Sequence, residues 1–299
     1  MSALKYNEIK LANERNEHVS KRLNRLSTWK FFTVLYRDQM LKILLSNILL
    51  LIFFLPAVVV FYFNTLDVAQ ITNILPSANA LGMGASVWTG VTDYVSGQSL
   101  IISNEYHLWL IPALAALAFT LSGGFAIIRD AFWTGRLTIF KSFWLGIKGS
   151  IAYSLICSSL LSVAYYGIYS LQSFLLSSVG FPKAVSIIFI VLAYLLLFFA
   201  GMYCFILISV AATYKQDAKT NLKDAWLLMW MNILPNSFKL IIALIPVVVL
   251  ALINLSSSIT SFILVIMLFI GAFYIVLVWM THMMKTFALF HPVTKKEKN

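Results

Sequence analysis

Long apolar runs, separated by shorter polar segments, dominate the pattern of this chain. Six runs are long enough to cross a bilayer, because about 20 helical residues span a hydrocarbon core roughly 30 Å thick. They lie at residues 43–63, 108–128, 149–171, 184–212, 240–255 with flanking residues, and 259–280. The pattern predicts an all-α membrane protein with six transmembrane helices.

The segments outside these runs predict three parts. Residues 1–41 are expected to be a cytoplasmic N-terminal tail with a first interfacial helix, residues 42–285 the six-helix membrane domain, and residues 286–299 a basic cytoplasmic tail. Residues 64–107 form a long extracytoplasmic loop without Lys or Arg. Since this loop is too apolar for simple disorder, we expect it to cover the outer helix ends or to dock on a partner.

Basic residues alternate from one side of the predicted membrane domain to the other. The 22 Lys and Arg residues are distributed as 9, 0, 4, 1, 4, 0 and 4 over the successive segments between spans. By the positive-inside rule, both termini are predicted to be cytoplasmic, in the cell (cytoplasmic) membrane. The same distribution accounts for the net charge of +11, so the charge does not predict nucleic-acid binding.

Three similar segments precede the odd-numbered spans and predict a threefold repeat. They cover residues 29–37, 141–148 and 223–231. Each is short, aromatic and basic, which is typical of a helix that lies in the membrane interface. We expect three units, each with an elbow helix and a transmembrane hairpin, with turns into the membrane near Leu41, Gly149 and Pro235. The alternative is that basic flanks and aromatic belts make any cytoplasmic segments look alike.

The predicted spans carry little chemistry. The chain is 61% hydrophobic, and no Asp, Glu, Lys or Arg lies in the central part of a predicted span. No zinc-protease, nucleophile-elbow or phosphate-loop motif is present, so we predict no enzyme activity, no cofactor and no metal site. Cys157 and Cys204 are interpreted as small packing residues, with a disulfide or metal pair as the alternative.

Four serines repeat at intervals of four residues along the third predicted span. They are Ser150, Ser154, Ser158 and Ser162. Small hydroxyl residues at this spacing favour close helix packing with interhelical hydrogen bonds. The alternative is the polar lining of a solute path.

Two further groups of residues are candidates for recognition. A cytoplasmic docking surface, with a plain membrane anchor as the equal alternative, is predicted from charged and aromatic loop residues: Arg129, Asp130, Arg136, Lys148, Asp224 and Trp226. Outer-loop specificity is predicted from Trp88, Asp93, Tyr94, Glu105 and His107. Glu105 and His107 would also suit a metal, but two ligands are a weak signal and a surface histidine is the preferred interpretation.

The chain resembles the YesL-like family of bacterial membrane proteins of unknown function, over residues 29–246. The resemblance lies in Phe31-Phe32 to Arg37, Lys42 to Asn47, Gly124-x3-Ile128-Arg129, Gly135, Phe140 to Phe143, Lys148 and residues 222–229. The chain departs from the family in its longer tail and in about 44 residues inserted between the first two spans. The resemblance implies a six-helix protein associated with carbohydrate ABC import systems, and it carries over no catalytic or binding residue.

Two functions follow as expectations. The first is a non-enzymatic accessory or assembly subunit of a membrane transport complex, a carbohydrate ABC importer, with the lipid bilayer and an ABC permease or related subunit as partners. The second is a stand-alone transporter or channel for a small polar solute. It would need a polar path, and the serines of the third span are its main candidates.

Overall fold

The computed structural model describes residues 26–74, 89–177, 182–214, 216–252 and 267–290. The helices there are α1 (Thr28–Ile74), α2 (Thr89–Thr134), α3 (Ile139–Ser177), α4 (Lys183–Thr213), α5 (Ala218–Met231), α6 (Ile233–Leu252) and α7 (Ala272–Phe290). A π-helical turn, Met267–Gly271, precedes α7. The prediction of an all-α protein is confirmed for the described residues.

Five of these helices contain stretches long and apolar enough to cross a membrane. The stretches are Thr28–Ala57, Leu108–Thr134, Ile139–Gln172, Ala184–Thr213 and Phe269–Leu289. A sixth is obtained if α5 and α6, which meet at a bend of 94°, count as one broken span. The chain is therefore a multi-pass membrane protein by the length and composition of its helices.

The helical path breaks at three residues close to the predicted elbows. Gln39 has φ −145° and ψ 36°, Ser150 has φ −130° and ψ 15°, and Asn232 has φ −130° and ψ 36°. The segment before each break is called an elbow helix below: residues 28–38 of α1, residues 139–149 of α3, and α5.

The third break lies three residues before the proline at which the turn was expected. Pro235 is in the first turn of α6, and Asn236 already donates its backbone N–H to the Asn232 carbonyl at 2.9 Å. A proline is tolerated in a first turn because its missing N–H would have no partner within the helix. Pro235 therefore belongs to the start of the new helix, and the bend is at Asn232.

The three elbow helices share a register when they are aligned on their break residues. Lys30, Lys141 and Lys223 each stand nine residues before the break. Leu35, Gly146 and Leu228 each stand four residues before it, and all three are buried. The common positions give each elbow helix one basic and one buried face, the pattern of a helix in the membrane interface.

The chain forms two compact units. The first contains the described residues within Met1–Phe53, Ala118–Leu155 and Ala200–Asn299, and the second those within Phe54–Leu117 and Ile156–Phe199. In the first unit, all residues from 120 to 133 of α2 are buried, and so is most of α7. In the second, the part of α4 up to residue 199 is largely exposed and apolar, as expected for a helix in contact with lipid.

Glycine allows α2 and the second elbow helix to approach closely. A Cβ atom on Gly146 would lie 2.6 Å from the Ala126 Cβ and 2.7 Å from the Ser122 backbone oxygen. A Cβ atom on Gly123 would meet the Phe143 ring at 2.3 Å. Small residues at helix contacts of membrane proteins have this function.

The segment expected to be a long outer loop is helical at both ends. α1 continues to Ile74 and α2 begins at Thr89. The middle of the expected loop, residues 75–88, lies outside the described residues. Both ends of this apolar segment therefore extend neighbouring helices, a pattern that periodicity alone does not separate from a folded loop.

The predicted last span, residues 259–280, starts in a segment outside the described residues. The apolar stretch at the C-terminal side runs over Phe269–Leu289, and α7 reaches Phe290. The predicted start of the C-terminal tail at residue 286 therefore lies inside α7, where Thr286 and Phe287 are buried.

Candidate functional site

A buried ion pair lies at the end of α2 in the first unit. The Arg129 Nη2 atom is 2.7 Å from the Asp130 Oδ1 atom, and the Nε atom donates to the same oxygen at 2.8 Å. Both side chains are almost fully buried, with relative exposures of 2% and 0%. The Arg129 guanidinium also lies 5.1 Å from the centre of the Trp133 ring. Charges this deep are compatible with folding because they are paired and hydrogen-bonded.

The ion pair connects the ends of two other helices. Arg129 Nη1 donates to the backbone carbonyl of Ala212, in the last turn of α4. Ser142, in the first turn of α3, donates its hydroxyl to Asp130 Oδ2. The last carbonyls of a helix have no partner within it and carry partial negative charge, so a guanidinium both satisfies and stabilises that end. The Arg129 cluster (Arg129, Asp130, Ser142 and the Ala212 carbonyl) thus joins α2, α3 and α4.

This burial corrects one part of the predicted docking surface. The sequence allows Arg129 and Asp130 either to pair with a neighbouring loop or to receive a partner's helix, and the structure buries both inside the fold. The sequence reasoning placed them at a helix exit, where charged residues are usually solvated. The contact that buries them comes from Ala212, 83 positions away. Spacing along the chain gives no indication of such a partner.

Gln39 holds the turn between α2 and α3. Its side-chain amide donates to the Gly135 carbonyl at 3.1 Å, and its oxygen accepts from the Leu137 backbone N–H at 2.8 Å. Gly135 has φ 74°, a left-handed conformation that suits glycine just beyond a helix end. Gln39, the break residue of the first elbow helix, therefore holds the backbone just before the second elbow helix begins.

The serine stripe faces protein. Ser150, Ser154, Ser158 and Ser162 have relative exposures of 0–3%. The hydroxyls of Ser122 and Ser150 each donate to the Gly146 carbonyl at 2.8 Å, and they lie within hydrogen-bond distance of each other. Ser162 donates to the Ser158 carbonyl. The Ser154 Oγ atom has no hydrogen-bond partner among the described atoms.

The other predicted docking residues are accessible. Arg136, Lys148 and Trp226 are exposed, and Asp224 is half-buried. Each elbow helix also exposes large aromatic side chains: Trp29 and Tyr36, Phe140 and Trp144, and Trp226 and Trp230. We call the exposed aromatic and basic residues of the three elbow helices, together with Arg136, the basic aromatic face. Aromatic rings beside Lys and Arg are typical of the membrane–water interface.

The predicted outer-loop residues are only partly described. Trp88 lies outside the described residues. Asp93, Tyr94 and His107 belong to α2, with only their backbone described, and Glu105 is exposed. Beside Glu105, the Tyr106 hydroxyl donates to the Asp67 carboxylate, which joins α2 to α1 in the second unit. This hydrogen bond is the main cause that raises the pKa of Tyr106 above its usual 10.0.

Sequence reasoning missed several buried polar contacts of the first unit. Asn47 Oδ1 accepts the backbone N–H of Phe273 at 2.8 Å, and Trp279 Nε1 donates to Ser209 Oγ at 2.9 Å. Asn236 Oδ1 lies 2.8 Å from His282 Nε2, and its amide donates to the Leu228 carbonyl at 3.1 Å. Each of these side chains is an isolated polar residue within an apolar run, and this isolation is the feature of the sequence that could have indicated a buried contact.

No group of three or more His, Cys, Asp or Glu side chains suitable for a metal occurs among the described residues. Cys157 and Cys204 are buried thiols without a disulfide between them. Comparison with protein-family models, with curated proteins and with solved structures gives no match to this chain.

Proposed function

We propose that this chain is a non-enzymatic membrane subunit that acts by binding other membrane proteins, as an accessory or assembly subunit of a transport complex. The observation that carries the proposal is the way in which its buried polar groups are used. The Arg129 cluster and the Asn47–Phe273 and Asn236–His282 contacts join helices to one another. Within the part of the chain that the structure describes, the largest accessible surfaces are apolar helix faces and the basic aromatic face.

The proposed arrangement has six transmembrane helices, with α5 and α6 acting as one elbow-and-span unit. Both termini and all three elbow helices are placed on the cytoplasmic side of the cell membrane. The distribution of Lys and Arg supports this orientation, because basic residues are retained on that side during insertion. A cysteine at exposed Arg136, in a chain whose Cys157 and Cys204 are replaced by Ala, should react with a membrane-impermeant maleimide only after the cells are opened. Labelling of intact cells would contradict the orientation.

The resemblance to the YesL-like family supports a carbohydrate ABC importer as the complex. Its permease is then the proposed direct partner, in contact with the apolar faces within the bilayer and with the basic aromatic face at its edge. Arg136 precedes the second elbow helix and Lys148 lies in it, and both are accessible to a partner's acidic residues.

A mild-detergent pull-down of the tagged chain from its native membrane, followed by mass spectrometry, tests the proposal. We expect permease, ATPase and binding-protein subunits in fixed ratio. The double variant Arg136→Glu/Lys148→Glu should lose them while keeping its own level in the membrane. The control is Lys42→Glu, a reversal at an exposed side chain of α1 that lies outside the three elbow helices. Purification of the unaltered chain alone would contradict the proposal.

A stand-alone transporter for a small polar solute is the second candidate, and Ser154 is the observation that favours it. Its hydroxyl is buried and has no partner among the described atoms, as a group on a hydrated path would be. Ser154→Leu should abolish solute flux in reconstituted vesicles, whereas Ser46→Leu, a change at a buried serine of α1, should not. Unchanged flux in the Ser154 variant would remove the serine stripe as a path.

A further inference from the structure

An apolar groove of about 260 Å³ lies in the first unit, between the first elbow helix, α6 and α7. Its lining consists of Thr28, Trp29, Phe32, Lys239, Ile242, Ile270, Tyr274, Leu277 and Val278. The walls are formed by aliphatic and aromatic side chains, and Tyr274 anchors two of the helices by donating to the Ile242 carbonyl at 3.3 Å. The groove is therefore an apolar site on the surface of a bundle of membrane-spanning helices.

One cation lies in this apolar lining. Lys239 is half-buried, and its ammonium is 6.0 Å from the centre of the Phe238 ring. Lys285 of α7 is close enough for its charge to interact with that of Lys239. No Asp or Glu belongs to the described lining of the groove. The Lys239 ammonium in the apolar lining, with the positive charge of Lys285 near it, makes a site for an anion that carries a hydrocarbon chain.

We propose that this groove binds one acyl chain of an anionic phospholipid, whose phosphate contacts the Lys239 ammonium. The volume is somewhat below the roughly 300–1,000 Å³ of small-molecule pockets, so the open groove holds part of one acyl chain and the rest of the lipid stays outside it. Basic sites between transmembrane helices are places where anionic head groups bind. The inference is independent of the proposed transport complex, because it concerns only the lipid that fills the groove.

The position of the groove gives the bound lipid a structural effect. Thr28, Trp29 and Phe32 belong to the first elbow helix, whereas Ile242 and Leu277 belong to α6 and α7. A chain between them contacts all three helices at once and thereby holds the elbow helix against the bundle. Trp29, which is 72% exposed, lies at the rim, where an indole N–H can donate to a glycerol ester or phosphate.

Native mass spectrometry of the purified full-length chain tests the charge requirement. The protein, stripped of lipid in detergent, is titrated with dioleoyl phosphatidylglycerol or with dioleoyl phosphatidylcholine. We expect phosphatidylglycerol to bind more tightly, and Lys239→Gln to weaken it by about tenfold, as expected for the loss of one charge-assisted contact. Lys141→Gln, on the exposed part of the second elbow helix, should leave binding unchanged. Equal binding of both lipids, or no effect of Lys239→Gln, would overturn the proposal.

A second variant tests the groove itself. Ile242→Trp places a large ring in the groove and retains the backbone carbonyl that Tyr274 contacts. This variant should bind phosphatidylglycerol more weakly even though Lys239 is present. Soluble glycerol phosphate should not compete, because it has no acyl chain. Retained binding in the Ile242→Trp protein, or competition by glycerol phosphate, would show a head-group site without a chain groove. Circular dichroism of each variant ensures that lost binding is not lost folding.

Discussion

Arg129 donates from α2 to the backbone carbonyl of Ala212 at the end of α4, although 83 positions separate the two residues. The same guanidinium is paired with the adjacent Asp130, so one cation satisfies a carboxylate and a helix end together. Ser142 completes the cluster from α3. Three chain segments of the first unit thus meet at one buried charge.

Removing only one member of this pair should strongly destabilise the protein. Asp130→Ala leaves the guanidinium buried without its carboxylate, and we expect a loss of about 3–5 kcal/mol, seen as a lower midpoint of thermal unfolding in detergent. The double variant Arg129→Met/Asp130→Ala should recover part of the loss, because no charge remains uncompensated. If the loss of stability in the double variant equalled the sum of the losses in Arg129→Met and in Asp130→Ala, the two residues would not be coupled.

Two glycines of the second elbow helix should respond oppositely to a methyl group. Gly146→Ala places its Cβ atom 2.6 Å from Ala126, beside the rigid backbone of α2, and should cost about 1–3 kcal/mol. Gly149 has no atom within 4 Å of such a Cβ, so Gly149→Ala should be neutral or stabilising by about 0.5–1 kcal/mol. Thermal unfolding of the two variants measures the difference. Equal effects would show that the close approach at Gly146 does not limit packing.

The sequence was informative about helices and much less so about their contacts. The elbow turns expected near Leu41 and Gly149 occur at Gln39 and Ser150, because aromatic and basic flanks mark the place where a helix leaves the interface. The sequence leaves open whether Arg129 pairs within the fold or meets a partner, since charged residues at a helix exit look alike in both cases. Contacts such as that of Asn47 with Phe273 join residues 226 positions apart, and hydrophobic periodicity carries no information on them.

Asn47 should be needed to satisfy a buried N–H of α7. Its side-chain oxygen accepts from the Phe273 backbone at 2.8 Å, just after the π-helical turn. Asn47→Ala would leave that donor without this acceptor, and we expect a loss of about 1–3 kcal/mol in unfolding experiments. The neighbouring Ser46→Ala is the control, because the Ser46 hydroxyl donates only to the Lys42 carbonyl of its own helix at 2.7 Å. If Asn47→Ala and Ser46→Ala lost similar stability, the effect would come from the packing of α1 and not from the hydrogen bond to Phe273.

The start of α5 should be sensitive to acid through Asp217. This carboxylate accepts hydrogen bonds from the Thr220 hydroxyl at 2.6 Å and from the Thr220 backbone N–H at 3.2 Å, as an N-cap does. The side-chain hydrogen bond is the largest cause that lowers the pKa of Asp217 below its ordinary 3.8.

Because the folded pKa is the lower one, the stabilisation by the Asp217 carboxylate is complete above pH 3.8 and is lost as the pH falls through the folded value. Asp217→Asn keeps an acceptor for the Thr220 N–H without a titratable group, so its stability should not contain this acid-dependent part. The comparison is made by thermal unfolding of both proteins from pH 6 down to about pH 2. If the unfolding midpoints of the two proteins fell in parallel as the pH is lowered, the ionised Asp217 carboxylate would not stabilise the start of α5.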